Sequence, residues 1–190
     1  MIFTDTNMYR RGQIGEEIVD NYIINSGKFI PFAPMVEDKA HPFDRILASV
    51  DKKSLMIAEV KTIDARDYYP DTGISISNFR EYLNIENKYN LEVWIFFVDS
   101  KLGKIYGNTL SKLRNETKVN YKGKVLEYPM KSKNFTANGG EIIYFPLENM
   151  VDIKKLNDID IQRIKNQHNK EYRGLKDKKG YYKWKEGNIS

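Results

Sequence analysis

The stretch Pro42-Phe43-Asp44-Arg45-Ile46-Leu47-Ala48-Ser49-Val50-Asp51-Lys52-Lys53-Ser54-Leu55-Met56-Ile57-Ala58-Glu59-Val60-Lys61-Thr62 decides how the chain is read. Two apolar, β-branched runs, 43–50 and 55–62, flank the polar turn Asp51-Lys52-Lys53-Ser54, the pattern of a β-hairpin. With the turn centred between Asp51 and Lys52, residues whose numbers sum to about 103 face each other across an antiparallel pair, so Asp44 lies across from Glu59. Strand alternation puts Glu59 and Lys61 on one face with Leu55 and Ile57, and Met56, Ala58 and Val60 on the other. A strand apolar on both faces belongs inside a sheet. Two charged residues at its end are then costly unless they are paired or metal-bound.

Outward from the hairpin, Met8 to Ser26 carries Ile14, Ile18, Tyr22 and Ile23 at helical spacing, with Asn25-Ser26-Gly27 as a stop. Lys28 to Phe32 is a short strand candidate that Pro31 and Pro34 place at an edge or end early. Downstream, Asp64 to Gly73 reads as an irregular loop and Ser75 to Tyr89 as a helix with Ser75 or Ser77 at its N-cap. Leu91 to Val98 is a nearly continuous apolar strand, as a central position requires. Further strands are expected at Lys104–Leu110 and Glu141–Phe145, a polar basic hairpin within 111–140, a helix at Ile153–His168 and a poorly ordered tail from Glu171. The order is that of an α/β layer fold with a mixed sheet.

Composition narrows the chemistry. The chain has no cysteine, which excludes a disulfide scaffold, thiolate catalysis and a Cys-based zinc site. No signal-peptide pattern opens it and no apolar run could span a bilayer, so a cytoplasmic protein without membrane association is expected. The net charge of +5 is unevenly placed: residues 111–140 balance at +5 and residues 154–190 at +6. That pattern suits a polyanionic partner, or solvated surface lysines.

Asp44 and Glu59 are crowded carboxylates, and a divalent cation relieves their repulsion. Hard oxygen donors with water completing the shell suit Mg²⁺, with Mn²⁺ as a substitute. Such an ion polarises phosphoryl oxygens and acidifies bound water, and Lys61 beside it can orient that water or stabilise phosphate charge. A purely structural Lys–carboxylate cluster accounts for the hairpin alone equally well.

Three motifs in order resemble the restriction-endonuclease-like superfamily, the PD-(D/E)xK nucleases: Gly15-Glu16-Glu17-Ile18-Val19 with Tyr22, then Pro42-Phe43-Asp44, then Ile57-Ala58-Glu59-Val60-Lys61-Thr62. The resemblance covers roughly residues 10–100 and is nearest in look to Holliday-junction resolvases and small phage or repair nucleases. It implies a mixed β-sheet core flanked by helices and metal-dependent hydrolysis of DNA by water. Asp44, Glu59, Glu16 and the Val60 carbonyl are the implied metal ligands, and Glu16, Asp44, Glu59 and Lys61 the catalytic set. The family pattern selects Glu16 over Glu17. Phe43 separates proline from aspartate here, and the helix after the lysine strand offers Asn78 but no glutamine. The nuclease domain is expected over 1–150 and a basic helix and tail over 151–190.

Arg66, Tyr69 and Arg80, with Tyr68, are expected where a nucleic-acid strand would pass; Lys176, Lys179 and Lys183 extend the contact in the tail. Asp64 and Asp67 read as loop and capping residues, with support of the site as the alternative. His41 could touch a phosphate, and His168 reads as a plain surface residue. A homodimer would pair two sites for junction or double-strand cleavage. The rival reading is a nucleic-acid-binding or structural protein that keeps the scaffold without turnover.

Overall fold

A computed structural model describes residues 7–32, 43–51, 53–133 and 140–176, with backbone alone for Lys133 and 171–176. Helix α1 (Asn7–Tyr22) is followed by a 3-10 turn (Ile24–Ser26) that ends at Gly27, φ +77°, the left-handed conformation that glycine adopts without strain. The expected helix thus tightens in its last turn. Strand β1 (Phe29–Phe32) is the outer strand of a six-stranded sheet, where Pro31 costs no central ladder bond.

Strands β2 (Arg45–Ser49) and β3 (Leu55–Thr62) pair antiparallel as Arg45↔Ala58, Ile46↔Ile57, Leu47↔Met56 and Ala48↔Leu55, the register set by the turn. From β3 the chain passes through β4 (Asp71–Ser75) and α2 (Ile76–Tyr89) to β5 (Glu92–Asp99), which lies parallel to β3. Ser75 caps α2, its Oγ accepting from the Asn78 N–H at 3.2 Å. Strand β6 (Lys104–Thr109) continues the sheet, and α3 (Leu110–Leu113) follows it. Next come the hairpin of β7 (Thr117–Tyr121) and β8 (Lys124–Tyr128), then β9 (Met130–Lys133) and β10 (Glu141–Pro146). Strand β11 (Val151–Lys155) and helix α4 (Asp158–Lys176) complete the described chain. The main sheet runs β1-β2-β3-β5-β6-β11, and a small sheet runs β4-β10-β9.

A central mixed sheet flanked by helices is therefore the architecture observed. On one face Ile18, Val19, Ile23 and Ile24 pack with Leu47, Ala58, Phe96, Val98, Ile105, Leu156 and Ile164, which seats α1 and α4. On the other, Ile57, Val93, Ile95, Phe97 and Tyr106 meet Tyr82 and Ile85 of α2, Leu110 and Leu113 of α3, and the small sheet. Alternation along β5 feeds both cores, as its apolar run requires.

Three local expectations differ. Asp71–Ser75 is a buried strand, not part of the loop, because Asp71 is neutralised internally and Gly73 lies against the backbone of Ile143. The last helix starts at Asp158 and continues past Glu171, while Val151–Lys155 is a strand paired with β6. Residues 151–176, which the sequence sets apart, thus supply the sixth strand and a helix packed on α1. Residues 177–190 lie outside the described residues.

Candidate active site

Glu59 is the centre. Register and alternation turn it, with Ile57 and Lys61, toward α2, where it is only 5 % exposed. Its two oxygens are treated differently. Oε1 accepts from the Lys61 ammonium and, at 2.6 Å, from the Tyr82 hydroxyl. Oε2 is buried and has no hydrogen-bond partner among the described residues. A bare, buried carboxylate oxygen is expensive. Lys61 also lies over the Tyr82 ring, 5.7 Å from its centroid. Burial, and then the Glu59 charge, push the Tyr82 hydroxyl far up, so it acts as a fixed donor.

Asp44 stands at the entry to β2, where its Oδ2 accepts the Val60 N–H at 2.7 Å. The bond ties the start of β2 to the far end of β3 and holds Asp44 beside Glu59. Glu16 arrives from α1. Gly15 permits this, because a Cβ there would lie 1.8 Å from Thr62 Oγ1, so only glycine lets the helix rest on the end of β3. Arg45, facing α1, ties the pieces together: it donates to the Asp44 carbonyl at 2.8 Å and to Asp20 Oδ2 at 3.0 Å, and lies 3.7 Å from Glu16 Oε2. Glu17 turns outward to Arg163 at 2.6 Å.

The carboxylates are under-compensated. Burial and then the Asp44 charge push Glu16 up to about 7, against the pull of Arg45. Burial raises Asp44 and Glu59 as well, although the Val60 N–H favours the charged form of Asp44 and Lys61 that of Glu59. Among the described residues no three His, Asp or Glu side chains form a ready-made metal cage. The donor set nevertheless fits a hard divalent ion: three electrostatically coupled carboxylates, one with a bare buried oxygen.

A pH dependence follows. Glu16 is raised in the folded state above the ordinary 4.5, so the stability it contributes is fully present below 4.5 and is lost as pH rises through about 7. In metal-free protein, Glu16→Gln therefore melts progressively higher than wild type across that window, with a constant gap beyond it. Melting curves in EDTA at a series of pH values check this, and a gap independent of pH would remove Glu16 from the carboxylate cluster.

The other sequence candidates fall elsewhere. Arg66 is committed internally: Nε and Nη2 each donate to the fully buried Asp71 at 2.5 Å, and the guanidinium lies between Tyr69 at 4.2 Å and Tyr144 at 3.7 Å. It closes the loop after β3 rather than projecting from it. Tyr68 and Tyr69 remain exposed, as does Arg80. Asp64 accepts from Ser100 N–H and Oγ and from Lys101 N–H, and Asp67 pairs with Lys101 at 2.7 Å, which are loop-capping roles. His168 is exposed on α4. The side chain of Lys176 is outside the description, as are His41, Lys179 and Lys183. Sequence reasoning missed Tyr82, Arg45 and Asp20. Tyr82 is visible only as a helix-face aromatic, and the one signal for Arg45 is its position opposite Ala58, which turns it toward α1.

No protein-family model matches the chain, and no curated protein does. Among solved structures, the chain is similar to Hjc, a Holliday junction resolvase from the archaeal hyperthermophile Archaeoglobus fulgidus. The TM-score is 0.46 and the identity 7 %, over 75 % of this chain and 92 % of that chain. Among the described residues no helix is long and apolar enough to cross a membrane.

Proposed function

We propose that the chain is a metal-dependent endonuclease that hydrolyses DNA phosphodiester bonds with water as nucleophile. One observation carries this reading: the divided Glu59 near Asp44, with Oε1 held by Lys61 and Tyr82 and Oε2 buried without a partner among the described residues. Lys61 and Tyr82 compensate only one of the two oxygens, which leaves the other for a cation. Asp44, Glu59, Glu16 and the Val60 carbonyl would hold Mg²⁺ or Mn²⁺, which when bound polarises the phosphoryl group and acidifies water.

The side chains supply the rest. Tyr82 fixes Glu59 Oε1, so Oε2 keeps one direction. Lys61, on the same strand face, donates to the attacking water or to a phosphate oxygen and offsets charge that develops in the transition state. Arg45 and the Asp44–Val60 bond keep the helix-borne and strand-borne carboxylates in place. A homodimer would bring two such sites to a junction or to both strands, and a cytoplasmic location suits the cysteine-free chain.

The test is incubation of purified protein with plasmid, single-stranded DNA, branched DNA and RNA, each with Mg²⁺, Mn²⁺ or EDTA. Cleavage of DNA with either metal and none in EDTA is expected. A protein that binds these substrates and cuts none with either metal is a binding module on this scaffold.

A further inference from the structure

The site above uses none of the basic charge of residues 111–140. Three of its seven basic residues, Lys118, Lys122 and Lys124, lie on the β7–β8 hairpin, which pairs with neither of the other two sheets. A two-stranded ribbon alone is marginal in water, and this one is held at its base. The Tyr128 hydroxyl donates to buried Asp71 Oδ2 at 2.7 Å, and Thr117 Oγ1 meets Asn149 Oδ1 at 3.0 Å. Beyond the base the ribbon is open. Lys118, Lys122 and Lys124 are exposed, and Val125 is 64 % exposed. The tip Lys122-Gly123 has φ of 50° and 76°, the paired left-handed turn that matches strand twist.

Lys118 pairs with Glu127 at 2.9 Å, but no carboxylate pairs with Lys122 or Lys124 among the described residues. Lys122 lies over the Tyr121 ring, 5.1 Å from its centroid. Folding has no use for two unpaired ammonium groups and an open valine on a narrow ribbon, whereas a phosphate backbone complements both charges. A two-stranded ribbon also has the width that the major groove of B-DNA admits.

We infer that the β7–β8 hairpin is a duplex-DNA-binding ribbon, with Lys122 and Lys124 at its tip on the phosphate backbone and Val125, on the exposed face with its partner Asn120, toward the groove. The choice of DNA rests on the nuclease reading. The anchor at Asp71, where the loop leaving β3 ends, ties the bound duplex to the segment that follows Lys61.

The test is anisotropy of a short fluorescent duplex, in EDTA, across a salt series. The variants are Lys122→Asn/Lys124→Gln, in which Asn tolerates the left-handed backbone, and the charge-keeping Lys122→Arg/Lys124→Arg. The neutral pair is expected to weaken binding roughly tenfold and to reduce the slope of log K against log salt by about 2. The arginine pair is expected to bind as wild type does. An unchanged affinity and slope in the neutral pair overturns the ribbon, as does wild type that binds phosphatidylserine vesicles but no duplex. Cleavage is scored on the same samples. Wild type that cuts DNA while the neutral pair binds unchanged removes the ribbon alone. Wild type that never cuts, with binding lost in the neutral pair, upholds the ribbon and removes the nuclease reading.

Discussion

Lys61→Ala abolishes cleavage, by on the order of a hundredfold to a thousandfold in rate, the range for loss of one donor aimed at developing charge, while duplex binding in EDTA stays close to that of wild type. The ammonium is anchored on Glu59 Oε1 and lies over the Tyr82 ring, so its contribution is local and positional rather than part of a broad binding surface. Single-turnover rates at saturating DNA separate the two, because a transition-state contact lowers the rate without moving the binding midpoint. Circular dichroism and melting curves check that the fold persists. The variant keeps the Tyr82 bond to Glu59 and both apolar cores. If Lys61→Ala cuts as fast as wild type, the observed activity comes from elsewhere.

Asp44→Asn is expected to stop cleavage by a different route. The asparagine oxygen can still accept the Val60 N–H that Asp44 Oδ2 takes at 2.7 Å, so the start of β2 stays attached to β3. What is lost is a negative charge, and with it affinity for the divalent ion. Cleavage should fall to a small residue in Mg²⁺ and recover partly as Mn²⁺ is raised. Melting in EDTA should be unchanged or slightly higher, since burial makes the Asp44 charge unfavourable without a cation. Rates titrated against each metal provide the readout. A wild-type metal midpoint in Asp44→Asn would take Asp44 out of the ligand set, and with it the proposed chemistry.

The hairpin was legible because a tight turn and a period of two leave few registers open. Once Asp51 and Lys52 are placed at the turn, Asp44 and Glu59 become neighbours without any knowledge of the rest of the chain. The helix stripe of α1 and the apolar run of β5 were readable for the same reason: one period and one buried outcome. Asp71–Ser75 was not readable, since an aspartate and a glycine in five residues carry the composition of a turn. They form a strand because Arg66, from the preceding loop, and Tyr128, from a distant part of the chain, satisfy Asp71. Arg66 pairs with Asp71 within the same loop, a bidentate contact that loop composition alone does not specify. Tyr82 and Asp20 join the site through helix positions that sequence spacing assigns to a face but not to a neighbour.

The helix bearing Glu16 is covered by α4, through Ile164 in the shared core and an Arg163–Glu17 ion pair across 146 residues of chain. Contacts so far apart in sequence form late, because a long loop must be closed before they return any energy. On the ribosome, α1 emerges ahead of its cover by some 146 residues. The strand-borne half of the site, with Asp44, Glu59 and Lys61, can be in place while Glu16 still lacks a fixed position. A nascent chain halted before α4 is therefore expected to lack the cover that fixes Glu16.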